Sequence, residues 1–178
     1  MEFLARILPL ALWPFRALSK AAPPTLAEQW AIMTPGQKAV LQWAYEQGTP
    51  HGFGQTMRAI AWQESSAGAD LENPEDKGGG SWGIFGTSAL SAWHRLNGWL
   101  TPYTEADLAA IAERLKNEPV LAAKSCHSEL RYWQDVHGAD RWSRIWASYN
   151  AGNEWEKGED YAKAIQAKIR FLRTVITE

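Results

Sequence analysis

Residues 54–68 read Gly-Gln-Thr-Met-Arg-Ala-Ile-Ala-Trp-Gln-Glu-Ser-Ser-Ala-Gly, and this stretch decides the expected fold. Met57, Ile60 and Ala61 lie seven, four and three residues before Glu64, so all four side chains share one face of a helix. We expect this face to pack against the core. Burial disfavours the charged form of a carboxyl group, so the spacing predicts a raised pKa for Glu64, as general-acid catalysis requires.

Helix signals recur on both sides of this stretch. Thr25 with Glu28, and Thr104 with Asp107, match the capping box, in which an acidic residue follows the first capping residue by three positions. Apolar residues elsewhere recur at intervals of three or four, whereas no segment alternates with period two for long enough to predict a strand. The predicted fold class is therefore all-α, with at most a minimal β-hairpin in the glycine-rich loop of residues 69–86.

Periodicity alone leaves two interpretations of Glu64 open. The residue either forms a structural ion pair with an arginine or acts as a catalytic acid. Residues 82–86, Trp-Gly-Ile-Phe-Gly, favour catalysis because glycines allow a ligand to approach the backbone closely. The segment that contains Tyr149 and Asn150 adds a phenol and an amide near the end of another predicted helix.

The composition narrows the class of protein. Of the 178 residues, 46% are hydrophobic and 21% are charged, which is typical of one folded domain. The net charge of −2 predicts no strong attraction to nucleic acid. Cys126 is the single cysteine and the four histidines lack metal-ligand spacing, so we predict no disulfide, metal or cofactor. The 11 tryptophans serve either as core residues or as platforms for sugars and bases.

Residues 1–24 form a separate amino-terminal segment, and residues 25–178 form the main domain. Residues 1–22 are mostly apolar with a few basic side chains, and a proline pair then forms a stiff linker. The segment is too short and too interrupted to predict a transmembrane span. Three interpretations stay open: a secretion signal, a helix at a membrane or envelope complex, and a tail helix docked on the domain.

Three short segments together resemble the soluble lytic transglycosylase family, whose members have a lysozyme-like fold. They are residues 64–65 (Glu-Ser), 83–86 (Gly-Ile-Phe-Gly) and 148–152 (Ser-Tyr-Asn-Ala-Gly). The family's corresponding signatures are Glu-Ser, Gly-Leu-Met-Gln and Ala-Tyr-Asn-x-Gly, in the same order. The resemblance covers roughly residues 54–170, and Gly86 departs from it by replacing the glutamine.

The resemblance implies a lysozyme-like catalytic domain that acts on the glycan strands of peptidoglycan. It implies cleavage of the N-acetylmuramic acid-β-1,4-N-acetylglucosamine bond, with Glu64 as the single general acid and base and with 1,6-anhydro ends as products. Tyr149 would hold Glu64 by a hydrogen bond. Substrate contacts or cleft positions are implied for Ser65, Trp82, Gly83, Phe85 and Asn150.

Two alternatives remain open at this stage. The stretch from Glu64 to Gly78 is also similar to goose-type lysozymes, in which an acidic residue near the place of Asp76 positions water for hydrolysis. The other alternative is a glycan-binding structural module without turnover, which the Gly86 departure favours and Glu64 opposes. The substrate implies action in the periplasm or cell envelope, with delivery either in a phage particle or with a secretion machine as partner.

Overall fold

The computed structural model describes residues 23–74 and 80–176. Within these residues the chain forms eight α-helices and two short 3-10 turns. The helices are α1 (Leu26–Ile32), α2 (Pro35–Gly48), α3 (Gly54–Ser65), α4 (Ala89–Asn97), α5 (Glu105–Asn117), α6 (Pro119–His137), α7 (Trp142–Ala151) and α8 (Glu159–Val175). The predictions for residues 1–22 and for Asp76 lie outside the described residues. None of the described helices combines the length and the apolar character needed to cross a bilayer.

The described β structure consists of three two-residue strands. They are β1 (Glu72–Asn73), β2 (Ser81–Trp82) and β3 (Thr87–Ser88). The strands pair antiparallel in the order β1-β2-β3, with Trp82 opposite Glu72 on one side and opposite Thr87 on the other. The predicted mostly helical class is therefore confirmed, but the glycine-rich loop holds a small sheet rather than a single hairpin.

Two predicted helix starts are confirmed at the level of individual hydrogen bonds. The backbone N–H of Thr25 donates to the Glu28 carboxylate at 2.7 Å, and the N–H of Glu28 donates to Thr25 Oγ1 at 3.3 Å. Thr104 and Asp107 exchange the same pair of bonds at 2.8 and 3.2 Å. These bonds satisfy N–H groups that the first turn of a helix leaves without partners, so they depend only on nearby sequence.

Helix α3 lies in the core, where α2 and α8 pack against it. Met57, Ile60 and Ala61, the predicted core face, are completely buried. Burying a large apolar side chain stabilises the fold by roughly 1.5–3 kcal/mol, so these contacts fix the helix firmly. The last turn of α3, which carries Glu64, is therefore held at a defined place on the protein.

The chain reverses abruptly after Glu64. Ser66, Ala67 and Gly68 have φ angles of 49°, 60° and 83°, which are three successive left-handed conformations. The N–H groups of Ser66 and Ala67 both donate to the carbonyl oxygen of Ala61, which closes the end of α3. The reversal leads the chain into β1 and so places the small sheet beside the last turn of α3.

Candidate active site

Glu64 lies where two cavities meet. The cavities have volumes of about 340 and 220 Å³, and both are lined by Glu64, Ser81 and Gly86. The larger cavity is also lined by Thr87, Ser88, Ser91, Glu129, Tyr149 and Asn150, and the smaller by Asp70, Leu71, Glu72, Asn73 and Gly83. Together they form a polar groove between the sheet and the helices, with a carboxyl group at the junction.

The partly buried Glu64 side chain packs directly against Gly86, at the end of the glycine turn (residues 83–86). A Cβ atom at Gly86 would lie 2.5 Å from Glu64 Oε2 and 2.9 Å from Glu64 Cδ. Gly86 also has a φ angle of 56°, a left-handed conformation that costs most other residues roughly 1–2 kcal/mol. The glutamine of the family pattern therefore does not fit at this position unless the carboxyl group moves.

Two hydroxyl groups hold the glycine turn against Glu64. The Tyr149 hydroxyl donates to the carbonyl oxygen of Phe85 at 2.8 Å. The Ser65 Oγ lies 2.8 Å from the carbonyl oxygen of Ile84, which is the neighbouring residue of the turn. Both side chains therefore position the backbone that faces the carboxyl group.

These bonds correct two predictions. A phenol has one hydrogen, and Tyr149 gives it to Phe85, so Tyr149 does not donate a hydrogen bond to Glu64 and instead holds the backbone of the glycine turn. Ser65 is completely buried and also accepts a hydrogen bond from the N–H of Gly68 at 2.8 Å. A side chain in that setting cannot contact a sugar, so Ser65 is a positioning residue.

The wall behind Glu64 is formed by neutral, buried groups. Burial raises the pKa of Tyr161, and the nearby Glu64 carboxylate raises it further. Burial likewise raises the pKa of Tyr149, with Cys126, Tyr161 and Glu64 adding to the effect. The Cys126 thiol is completely buried, and burial raises its pKa strongly. The rings of both tyrosines are partly exposed, but the Tyr161 hydroxyl itself is buried. Glu64 thus faces the groove on one side and protonated groups on the other.

A second carboxylate, Glu129 on α6, lines the same groove. Glu129 Oε2 lies 2.9 Å from Nη2 of Arg95, and Glu129 Oε1 accepts a hydrogen bond from Nε1 of Trp133 at 2.6 Å. The side chains of Glu129 and Arg95 are each only 12% exposed. Charge-assisted bonds of this kind hold a carboxylate in one orientation, so Glu129 presents a fixed acceptor to the groove.

Sequence reasoning missed Glu129, although the signal was present. Glu129 lies three residues after Cys126 and four before Trp133, both of which are buried on α6. It is therefore an acidic residue on an apolar helix face, the same pattern that singled out Glu64. Both groove carboxylates, Glu64 and Glu129, thus share the same sequence signal, an acidic residue on the apolar face of a helix.

The other predicted site residues divide into two groups. Asn150 is exposed and lines the larger cavity, and Gly83 lines the smaller one. Phe85 does not reach the groove because it is completely buried, with its ring centroid 6.2 Å from that of Trp43. Its predicted cleft position is wrong.

Trp82 is not among the residues that line the two cavities, although its neighbour Ser81 lines both. The Trp82 ring instead contacts α5, where Nζ of Lys116 lies 5.3 Å from the ring centroid. The structure therefore places the Trp82 ring against α5 and not in the lining of either cavity, where it was predicted.

Hydroxyl groups dominate the rest of the larger cavity. Ser81, Ser88 and Ser91 line it together with Thr87. Thr87 is only 3% exposed, and its Oγ1 has no hydrogen-bond partner among the described residues. Among residues 23–74 and 80–176, no three His, Cys, Asp or Glu side chains are grouped as a metal site. The groove is therefore equipped to form hydrogen bonds with a hydroxyl-rich or amide-bearing ligand.

Fold and site together define a mostly helical protein with a carboxyl group at the junction of a polar groove. The chain is 30% identical over 122 residues to a protein of Enterobacteria phage T4, described as an uncharacterized 20.7 kDa protein in the vs-regB intergenic region. That match spans 68% of this chain and 64% of the phage T4 protein. The chain matches no protein-family model, and no solved structure matches it.

Proposed function

We propose that this protein is a lysozyme-like enzyme that cleaves the β-1,4 bond between N-acetylmuramic acid and N-acetylglucosamine in peptidoglycan. The observation that carries the proposal is the setting of Glu64, a partly buried carboxyl group at the junction of two cavities with protonated groups behind it. General-acid catalysis needs a proton donor beside the bond to be broken, and a partly buried carboxyl group can serve as one. The hydroxyl and amide groups that line the groove suit a glycan substrate.

In the proposed reaction, Glu64 first gives its proton to the glycosidic oxygen. The bond between this oxygen and the anomeric carbon breaks, and the sugar gains oxocarbenium character that its own acetamido group can stabilise. Asn150, exposed in the groove, contacts the substrate. Tyr149 and Ser65 act indirectly, because they hold the glycine turn that fixes the Glu64 carboxyl group.

The second step completes the cycle of a lytic transglycosylase. The Glu64 carboxylate takes the proton of the substrate's C6 hydroxyl while that oxygen bonds to the anomeric carbon. The product is a 1,6-anhydro sugar, and Glu64 is again protonated. One carboxyl group is enough because the nucleophile belongs to the substrate, and such tethering replaces several kcal/mol of activation free energy.

Hydrolysis of the same bond is the second candidate function, and Glu129 favours it. Glycosidases that use water commonly employ two carboxyl groups on either side of the bond. Glu129 lies in the groove that holds Glu64, and its orientation is fixed by Arg95 and Trp133. In this case Glu129 orients a water molecule, whose oxygen bonds to the anomeric carbon while one of its protons passes to the Glu64 carboxylate. The product then has a reducing end, and Glu64 is again protonated.

The decisive experiment is digestion of purified peptidoglycan followed by mass spectrometry of the fragments. Anhydro ends are one water lighter than hydrolysed ends, so the masses separate the two reactions. We expect Glu64→Gln to slow fragment release at least about 10²-fold. Glu105→Gln, which changes an exposed carboxylate on α5, is the matched control and should cleave like the parent chain. Equal release by the parent chain and Glu64→Gln would leave a non-catalytic glycan-binding module as the better description.

The site of action follows from the substrate, which lies in the cell envelope. The chain is similar to a protein encoded by a phage, and we propose delivery in a phage particle, with delivery by a secretion machine as the alternative. Detecting the chain with an intact amino terminus in purified particles would support this route. A chain cleaved near residue 22 and found in the periplasm would contradict it.

A further inference from the structure

A cluster of aromatic side chains lies where the end of α4 and the connection to α5 meet α6. We call it the aromatic platform, and it consists of His94, Trp99, Tyr103 and Tyr132. The His94 ring stacks on Trp99 with centroids 5.0 Å apart and an interplanar angle of 16°, and it meets Tyr103 edge-on at 5.7 Å. Trp99 nevertheless remains 56% exposed. More than half of the Trp99 surface is therefore accessible to solvent although several side chains pack against the ring.

Arg95 joins the platform to the groove. Its guanidinium carbon lies 4.2 Å from the centroid of the Tyr132 ring and 5.1 Å from that of Trp99. The same guanidinium group forms the ion pair with Glu129, which lines the groove. One cation thus contacts the platform on one side and the groove wall on the other.

Helix α4 and the residues after it link the two surfaces. Ser91 lines the groove, and Arg95 follows it by four residues on the same face of the helix, a rise of about 6 Å. Trp99 comes directly after Gly98, the residue that ends α4, and the guanidinium group of Arg95 packs over its ring. Arg95 therefore connects the groove wall to Trp99.

We propose that the aromatic platform is a distal glycan-binding subsite, where a sugar outside the groove stacks on Trp99. Sugar rings carry an apolar face of C–H groups and a polar rim, which match an exposed tryptophan ring on a surface that also carries the half-exposed Tyr103. The contacts of His94 and Arg95 hold Trp99 in place before binding, which reduces the loss of side-chain entropy. The charge of Arg95 is already paired with Glu129, so the platform does not favour anionic lipid. This inference rests on the proposed function, because it extends the same groove.

The test measures calorimetric binding of chitohexaose and chitobiose to the full chain carrying Glu64→Gln, which removes turnover. Adding Trp99→Ala should weaken chitohexaose binding about tenfold and leave chitobiose unchanged, since the loss of one buried tryptophan contact commonly exceeds 1 kcal/mol. Trp99→Phe keeps a ring face and should retain most of the affinity. Leu100→Ala is the matched control, because Leu100 is 99% exposed in the same loop but has no ring.

Three results would overturn the subsite. The first is an unchanged affinity for chitohexaose in Trp99→Ala, and the second is an equal loss of affinity in Leu100→Ala. The third is that the chain binds anionic phospholipid vesicles through Trp99 and Leu100 and does not bind the oligosaccharide. Failure of the proposed function gives a different result. A parent chain that releases no peptidoglycan fragments, but binds chitohexaose through Trp99 in the Glu64→Gln background, would refute cleavage and retain the subsite.

Discussion

Replacing Gly86 by alanine tests the contact on which the proposed site depends. The added Cβ would lie 2.5 Å from Glu64 Oε2, whereas an ordinary contact begins at 3.4 Å, so the carboxyl group must move by about 0.9 Å. A displacement of about 1 Å in a catalytic group can slow a reaction roughly 10²-fold. We therefore expect Gly86→Ala to reduce fragment release from peptidoglycan by about two orders of magnitude.

The same substitution should also reduce stability. The left-handed backbone costs alanine roughly 1–2 kcal/mol, and overpacking adds roughly 1–3 kcal/mol. Gly52→Ala is the matched control, since Gly52 has a φ angle of 79° and its added Cβ would meet no atom within 4 Å. For a chain of this size, 1 kcal/mol lowers Tm by about 2–4 °C, so Gly86→Ala should melt about 2–12 °C below the control.

Thermal unfolding and a wall-digestion assay on both variants decide the matter. The reasoning fails if Gly86→Ala has the same Tm as Gly52→Ala and digests peptidoglycan at the rate of the parent chain. A third variant, Gly86→Gln, distinguishes two predictions, because soluble lytic transglycosylases have glutamine at the corresponding position of their second signature. The resemblance alone predicts that this variant improves activity, whereas the distance to Glu64 predicts a loss.

Further predictions concern the residues around the groove. Tyr149→Phe removes the hydrogen-bond donor of the Phe85 carbonyl and should lower the free energy of unfolding, measured by urea titration, by roughly 1–2 kcal/mol. It should also slow the cleavage of peptidoglycan. An unchanged free energy of unfolding and an unchanged rate would show that Tyr149 does not position the glycine turn. Burial and nearby charge raise the pKa of Tyr161 and of Tyr149 in the folded state, so both stay protonated when the unfolded chain begins to ionise near pH 10. The contribution of these two tyrosines to stability is then fully present below pH 10 and falls above it by about 2.7 kcal/mol per pH unit, in addition to a loss from Cys126 that begins near pH 9. Tyr161→Phe should reduce the slope above pH 10 by about 1.4 kcal/mol; an identical slope would contradict the assignment. Arg95→Ala removes the cation that pairs with the largely buried Glu129 carboxylate and should destabilise the fold by roughly 3–5 kcal/mol. The control is Arg131→Ala, which breaks an exposed ion pair with Asp135 and should change stability by less than about 1 kcal/mol. If Glu129 orients water, Glu129→Gln should raise the fraction of anhydro ends seen by mass spectrometry; an unchanged product ratio would exclude that role.

The features that sequence predicted correctly depend on residues close together in the chain. The capping boxes at Thr25 and Thr104 are closed by bonds across three residues. The buried face of α3 follows from helical spacing in one twelve-residue element. Glu64 could be singled out for the same reason, because its position relative to Met57 and Ile60 is fixed by the helix alone.

The features that sequence missed depend on contacts between distant segments. Tyr149 lies 64 residues from Phe85, and spacing along the chain cannot show which acceptor its hydroxyl reaches. Trp82 and Phe85 belong to a short strand and a glycine turn, where pairing with neighbouring strands decides which side chain faces the groove. The partners of Glu129 likewise come from α4 as well as α6, so its role becomes visible only in the folded protein.

The position of Tyr161 on α8 affects when the molecule becomes complete during synthesis. Glu64 leaves the ribosome nearly a hundred residues before Tyr161, and domains are built from the amino-terminal end onward. A nascent chain that stops before α8 already has Gly86 and Asn150 but lacks the phenol beside the carboxyl group. The buried phenol next to Glu64 is therefore added to the site only when α8 has been synthesised and packs against α3.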